Sequence, residues 1–352
     1  MIITLVIGTI ISILMVAFFR KKVNEYDRSN YTLHSSFASM AILVAVMTVL
    51  NIADKSSIMD SEILNGVVIS KENQTTSCEH QYVCGQVCST SNNVTSCTPI
   101  YCHEHAYDID WVVKTSVGNI KIDRVDRQGV RTPKRFNDVV IGEPASLTHS
   151  TKNYFKGDEF NWSTSEEIKN KFSEINVDYP TIFDYYKVNT VINTTSIDLN
   201  IDEINSYLRN RLKTMGHEKQ VNVVIVITDS NDHDFAEYVL DKWKGGKKND
   251  VILFYGIDQD LEINWFKSNT FANGEGNKFL IETLRTNTYH DKFGLTHVIK
   301  QMDSINEHFT RLSNEDLEYM YESRDKASVW WHLLSLIFIF TANLIVLLKL
   351  KD

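Results

Sequence analysis

All five cysteines of this 352-residue chain fall in one short stretch: Cys78, Cys84, Cys88, Cys97 and Cys102. His80 lies among them, and His103 and His105 follow directly. Thiols this crowded have two common uses. In an oxidising compartment they pair as disulfides, and an odd number leaves one thiol over. Alternatively, thiolates and imidazoles at short spacing fill the tetrahedral shell of Zn²⁺. Cys84-x3-Cys88 with Cys102-His103-x-His105 would supply a full zinc set. Disulfides are the first expectation and zinc the rival, because the usual C-x2-C pairs are absent.

A second group of candidates is acidic. Asp229, Ser230 and Asp232 follow one apolar run, and Asp258 and Asp260 follow another. Oxygen donors of this kind suit Ca²⁺ or Mg²⁺. The competing reading makes Asp229 and Asp232 helix caps that complement the helix dipole. No nucleophile–base pair stands out. The chain has no G-x-S-x-G elbow, Gly245-Gly246-Lys247-Lys248 lacks P-loop spacing, and Gly274-x-Gly276 lacks the third glycine of a dinucleotide loop. No catalytic residue is therefore assigned.

The elements that would carry the acidic group are legible. Ile201, Ile204, Leu208, Leu212 and Met215 recur at helical spacing, with Asn200 and Glu203 as a capping box and Gly216 as the stop. Val221–Ile227 is an almost continuous apolar run, as in a strand covered on both faces. Phe235, Val239 and Trp243 form the stripe of a helix that Gly245-Gly246 ends, and Val251–Tyr255 is the next buried strand. A strand–helix–strand crossover predicts a parallel pair with a right-handed connection, which sets Asp229 and Asp258 side by side beyond the strand ends. Leu261, Ile263 and Trp265 predict a third strand, and Leu295 through Leu312 a long closing helix. Upstream, Trp111–Val125 reads as strands joined at Gly118-Asn119. Asp123–Gly142 is locally basic, a solvated loop or a face for anionic lipid headgroups or an acidic partner.

VVIVITDS (Val223–Ser230), FAEYVLDKW (Phe235–Trp243) and NDVILFYGID (Asn249–Asp258) resemble the TPM domain family over residues 190–312. That resemblance implies a Rossmann-like, membrane-anchored, extracytoplasmic domain, acting either as an acid phosphatase or as an accessory to membrane complexes. The chain departs from the family pattern after Asp258, where a basic strand and glycine-rich stretch give way to Asp260–Phe266. Residues 101–157, with DIDW, VDRQG and IGEPAS, are weakly similar to membrane proteins of large tailed phages.

Three long uncharged runs accompany these regions: Ile2–Phe19, Ser35–Ala53 and Val329–Leu348. Each has the length of a bilayer span. The loop 20–34 carries Arg20, Lys21, Lys22 and Arg28, and Lys349 and Lys351 follow the last run, so the positive-inside rule places both in the cytoplasm. The N-terminus and residues 54–328 then lie outside. The whole chain has 36 basic and 45 acidic residues, a net charge of −9. Residues 54–328 hold 30 of the basic and 42 of the acidic groups, a net −12. An acidic ectodomain of this size argues against nucleic acid as a partner.

The expected fold class is α/β, a Rossmann-like TPM-type domain with a Cys-rich, mainly β or irregular region and three transmembrane helices. The expected organisation is a transmembrane hairpin (1–53), the Cys-rich region (54–190), the TPM-like domain (191–312), a helical connector (313–328) and a C-terminal span with a short tail (329–352). The expected function is a multi-pass membrane protein presenting an extracytoplasmic domain to a protein partner or a divalent cation without catalysis. The alternatives are a metal-dependent acid-phosphatase-like hydrolase and a phage-encoded membrane assembly or host-interaction factor.

Overall fold

The computed structural model describes residues 2–21, 28–91, 94–154, 163–318 and 329–351. Part of the expected cytoplasmic loop (22–27) and most of the expected connector (319–328) lie outside the described residues. The chain forms two compact units: Met1–Asp60 with Lys152–Phe160 and Ser313–Asp352, and Ser61–Thr151 with Asn161–Leu312.

The first unit contains helices α1 (Ile2–Arg20), α2 (Arg28–Ser57) and, at the end of the chain, α9 (Val329–Lys351). Two of them, not the expected three, are long and apolar enough to cross a membrane: Ser29–Leu50 and Trp331–Lys349. The apolar stretch Thr4–Arg20 is shorter. At ~1.5 Å per residue, all of α1 reaches only about 28 Å against a ~30 Å hydrocarbon core. The second span is also displaced toward the N-terminus, because Arg28–His34 is already helical. The three helices pack around a buried polar group: Asn343 on α9 donates to Ser12 Oγ on α1 at 3.2 Å and accepts from Ser39 Oγ on α2. Gly8 allows close approach, since a Cβ there would lie 2.9 Å from Ile339 Cδ1.

The second unit is built on two four-stranded sheets. One has the order β5-β4-β1-β6, from β1 (Met59–Thr76), β4 (Asp108–Thr115), β5 (Gly118–Ile122) and β6 (Pro144–Lys152). Between β1 and β4 the chain leaves as an antiparallel ribbon, β2 (Gln81–Ser91) and β3 (Val94–His103). The hairpin after β4 turns at Ser116-Val117, because Thr115 pairs with Gly118, so Gly118-Asn119 opens β5 instead of forming the turn. The locally basic segment includes α3 (Lys134–Asn137), and its charges are largely compensated. Arg127 pairs with Glu104 at 3.0 Å, Arg135 with Asp184 at 2.7 Å, and Arg124 folds inward onto Asp110.

The other sheet has the order β12-β11-β10-β9, from β9 (Val191–Asn193), β10 (Asn222–Thr228), β11 (Asp250–Ile257) and β12 (Ile263–Thr270). The first three are parallel and β12 is antiparallel. A two-stranded piece, β7 (Ile182–Phe183) with β8 (Lys187–Val188), precedes it. Alternate residues of β10 and β11 enter two different cores. Val223, Ile225, Ile227, Leu253 and Tyr255 face α5 (Ile201–Lys219), α7 (Lys278–Thr288) and α8 (Leu295–His308). Val224, Val226, Ile252 and Phe254 face α4 (Glu166–Phe172) and α6 (Asp234–Lys242). The result is a three-layer α/β/α arrangement, which explains why these strands read as unbroken apolar runs.

Asn200 caps α5 as expected, accepting from Glu203 N at 3.3 Å. Gly216 does not end that helix, which continues to Lys219 and closes at Gln220 with φ 54°. Gly245 and Gly246, at φ 84° and 89°, do follow the end of α6. The closing helix stops at His308, short of Leu312. The two sheets of this unit meet along a buried polar seam. Asn65 Nδ2 donates to Asn222 Oδ1 at 2.9 Å, and Asn222 Nδ2 donates to Asp250 Oδ1 at 2.9 Å.

Candidate metal centre

The ribbon settles the use of four cysteines. Cys84 is bonded to Cys102 and Cys88 to Cys97. The disulfides follow from strand pairing, since Cys88 sits directly opposite Cys97 and Cys102 opposite Tyr82, next to a bulge that shifts the register between Val83 and Gly85. Cys84, Cys88, Cys97 and Cys102 are therefore not free to ligate zinc. His103 is exposed on the strand end opposite Gln81. The expected zinc set falls apart, and Cys78 is the one free thiol.

A different set forms below the ribbon. Cys78 Sγ, one ring nitrogen each of His80 and His105, and an Asp108 carboxylate oxygen all lie within 4.8 Å of one another. Cys78 and His80 are on the connector from β1 to β2, His105 is on the return from β3, and Asp108 is the first residue of β4. Cys78 Sγ is 3.7 Å from His105 Nδ1, His105 Nδ1 is 3.5 Å from Asp108 Oδ1, and His80 Nδ1 is 3.3 Å from Asp108 Oδ2. Asp108 is fully buried and Cys78 is 5% exposed. Two of the atoms, His80 Nδ1 and Asp108 Oδ1, are buried with no hydrogen-bond partner. This Cys/His/Asp group could hold a metal ion.

The surroundings hold the ligands in place. Asp108 Oδ2 accepts from Glu79 N at 3.0 Å and from Arg124 Nη1 at 3.0 Å. The Glu79 N–H, together with the Arg124 and His80 charges, keeps the Asp108 carboxyl below the usual carboxylate range despite its burial. His80 N donates to Cys78 Sγ at 3.4 Å, which fixes the sulfur against the connector backbone. Sequence reasoning included Cys78 and His105 among its candidates but missed His80 and Asp108 as ligands. The available signal was C-x-H on one connector and H-x2-D on the other.

The acidic group is placed otherwise. Thr228 pairs with Gly256, so Asp229 and Asp258 do follow neighbouring parallel strands. Asp258 Oδ1 accepts from the backbone of Asp260 and Glu262, each at 3.0 Å. Asp232 Oδ1 accepts from Asp234 N at 2.9 Å at the start of α6, and its Oδ2 meets Lys171. Ser230 Oγ accepts from Asp232 N at 3.2 Å. Asp229 and Asp260 are exposed. The Trp265 indole lies across Gly256 and donates to Ser230 O at 2.7 Å. Among the described residues, only Cys78, His80, His105 and Asp108 bring three or more such ligand atoms together.

No protein-family model, no curated protein and no solved structure matches this chain.

Proposed function

We propose that this chain is a multi-pass membrane protein that presents residues 61–312 outside the cytoplasm as a non-catalytic module for binding a membrane or extracytoplasmic protein partner. The observation that carries the reading is the pair of disulfides on an exposed ribbon, a chemistry that persists in oxidising compartments. The helical unit supports it. Ile13, Leu14, Phe37, Met40, Val49 and Ile337 are each about 60% exposed or more on α1, α2 and α9, a surface suited to lipid.

The charges of that unit support the orientation. Phe19, Tyr31 and Leu347 belong to one buried cluster, so the helix ends bearing Arg20, Arg28 and Lys349 share one end of the bundle. A cytoplasmic face requires this clustering. The chain runs on into residues 61–312 from the opposite end of α2 and returns to the opposite end of α9. Asp232 and Asp258 are engaged in hydrogen bonds within their own turns, which supports a non-catalytic reading of the strand ends.

Protease added to intact cells or spheroplasts tests the topology. External digestion of residues 61–312 with the C-terminal tail protected is expected. Protection of that unit, with five reduced thiols, overturns the proposal. Phosphomonoester hydrolysis by the purified protein that disappears in Asp229→Asn would likewise replace the binding role with the hydrolase reading.

A further inference from the structure

We propose that Cys78, His80, His105 and Asp108 bind a single Zn²⁺ ion as a closed structural site, locking the root of the β2–β3 ribbon onto strands β1 and β4. The inference concerns a ligand the membrane reading does not require, and it stands or falls separately from it.

The geometry is the first argument. Zinc bonds of about 2.0–2.3 Å at tetrahedral angles set nitrogen–oxygen edges near 3.3 Å and sulfur–nitrogen edges near 3.6 Å. His105 Nδ1 lies 3.5 Å from Asp108 Oδ1 and 3.7 Å from Cys78 Sγ, close to those edges. His80 Nδ1 stands 3.3 Å from the other carboxylate oxygen, and one ligand atom from each of the four residues falls within 4.8 Å of the rest, so small side-chain shifts close the shell. Direct hydrogen bonds would draw the nitrogen–oxygen pairs closer, to about 2.7–2.9 Å.

Unpaired buried atoms are the second argument, and an independent one. His80 Nδ1 and Asp108 Oδ1 are buried at the cluster without a hydrogen-bond partner. Buried polar atoms are almost always satisfied, and an orphan marks a missing water or ion. A cation accepts both lone pairs at once. The donor set is mixed, with one thiolate, two imidazoles and one carboxylate, which suits borderline Zn²⁺ better than Ca²⁺ or Mg²⁺. Thiolate and carboxylate together neutralise the ion. All four positions come from the protein, which is the pattern of structural rather than catalytic zinc.

Topology supplies the role. Two ligands precede β2 and two follow β3, so the ion would clasp both strands where they leave the sheet. With Cys84–Cys102 and Cys88–Cys97 it makes a third cross-link along one ribbon. It also accounts for the odd cysteine, since a zinc-bound Cys78 thiolate is shielded from exchange with the two neighbouring disulfides.

The test uses untagged, full-length protein in detergent, with Zn²⁺ as the probe. Elemental mass spectrometry should find one zinc per chain, and competition with a chromogenic chelator should show affinity about 100-fold lower in Cys78→Ser and in His105→Gln. Because a variant may fold poorly, alkylation of wild-type Cys78 gives a second readout. Zinc should slow modification of this single thiol at least tenfold, and a chelator should restore it. No uptake of zinc, a different metal in its place, undiminished affinity in both variants, or alkylation indifferent to zinc each overturns the proposal.

Discussion

Asp108 Oδ1 and His105 Nδ1 stand 3.5 Å apart, and Asp108 Oδ1 makes no hydrogen bond to any residue. Two polar atoms held this close without a hydrogen bond, one of them fully buried, carry a free-energy cost that the proposed zinc would remove. Chelation should therefore lower the melting temperature of the wild-type protein and broaden the transition. The Cys78→Ser protein should melt at the lower temperature whether or not chelator is present. Calorimetry with and without chelator checks both expectations; equal melting of all four samples would sink the stabilising role.

The disulfide nearer the ribbon tip should act locally. Cys88 and Cys97 close a loop of nine residues in sequence separation, for which chain entropy gives about 2–3 kcal/mol. The double replacement Cys88→Ser/Cys97→Ser should speed proteolytic nicking between β2 and β3. The α/β/α sheet shares no strand with the ribbon, so its unfolding transition should move little. Parallel limited proteolysis and near-ultraviolet circular dichroism separate the two effects.

Gly216 sets a helix-propensity rule against a packing constraint. Inside an exposed helix, Gly→Ala gains about 1 kcal/mol. Here a Cβ would lie 2.6 Å from Asn65 Cβ and 3.0 Å from Asn65 O. The contact is to backbone as well as side chain, so relief requires moving β1 against α5. Gly216→Ala should destabilise the protein by about 1–3 kcal/mol. Urea denaturation of the two proteins decides the sign.

The same residue shows what the sequence carries and what it withholds. Periodicity and caps placed α5, β10, α6 and β11, because each has an apolar pattern set by its own neighbours in the chain. Gly216 looked like a stop, since its partner Asn65 is 151 positions away and leaves no local mark. Strand β1 was missed for a related reason: seven of its 18 residues, Ser70–Thr76, are polar although they pair with the buried strand β4, so the pairing leaves no apolar pattern in the sequence. Helix α7 escaped because only Leu280 and Leu284 of its apolar residues are buried while Phe279 is exposed, too short a stripe to stand out. The Cys78, His80, His105 and Asp108 group is the clearest case. The cysteines pointed to the right region, but which of them pair depends on the ribbon register, and Asp108 joins only through its pairing opposite Thr76.

Asn343 ties three helices in an apolar setting. Its side chain donates to Ser12 Oγ and accepts from Ser39 Oγ, and it is fully buried. Interhelical hydrogen bonds in membrane proteins contribute about 0.6–2 kcal/mol. Asn343→Leu keeps the volume and removes both interhelical bonds together with the side chain's bond to Ile339 O within its own helix, so the helical unit should lose about that much. Ser12→Ala and Ser39→Ala should each cost less, since Asn343 retains its bond to Ile339 O at 2.8 Å. Thermal unfolding in detergent, followed by helix content, tests the ranking; equal loss in all three variants contradicts it.

Asp250 gives the second unit a distinct pH signature. It is buried at the seam between the two sheets and accepts from Asn222 Nδ2, Lys247 N and Tyr179 Oη. Burial pushes its carboxyl up to about 6, against the opposing effect of those hydrogen bonds. The folded protein therefore holds this proton to higher pH than the unfolded chain, whose carboxylate ionises near 3.9. Folded protein binds more protons than unfolded between these values, so this group's contribution to stability falls as pH rises from about 4 to about 6. Above the folded value it stays low, by an amount of order 3 kcal/mol for a shift of roughly two units. Asp250→Asn cannot ionise. Its stability relative to wild type should rise across that interval and level off above it, whatever the absolute cost of the altered hydrogen bonds. Urea midpoints of both proteins from pH 4 to pH 7.5 give the difference directly, and a flat difference would show that Asp250 is charged in the folded state throughout.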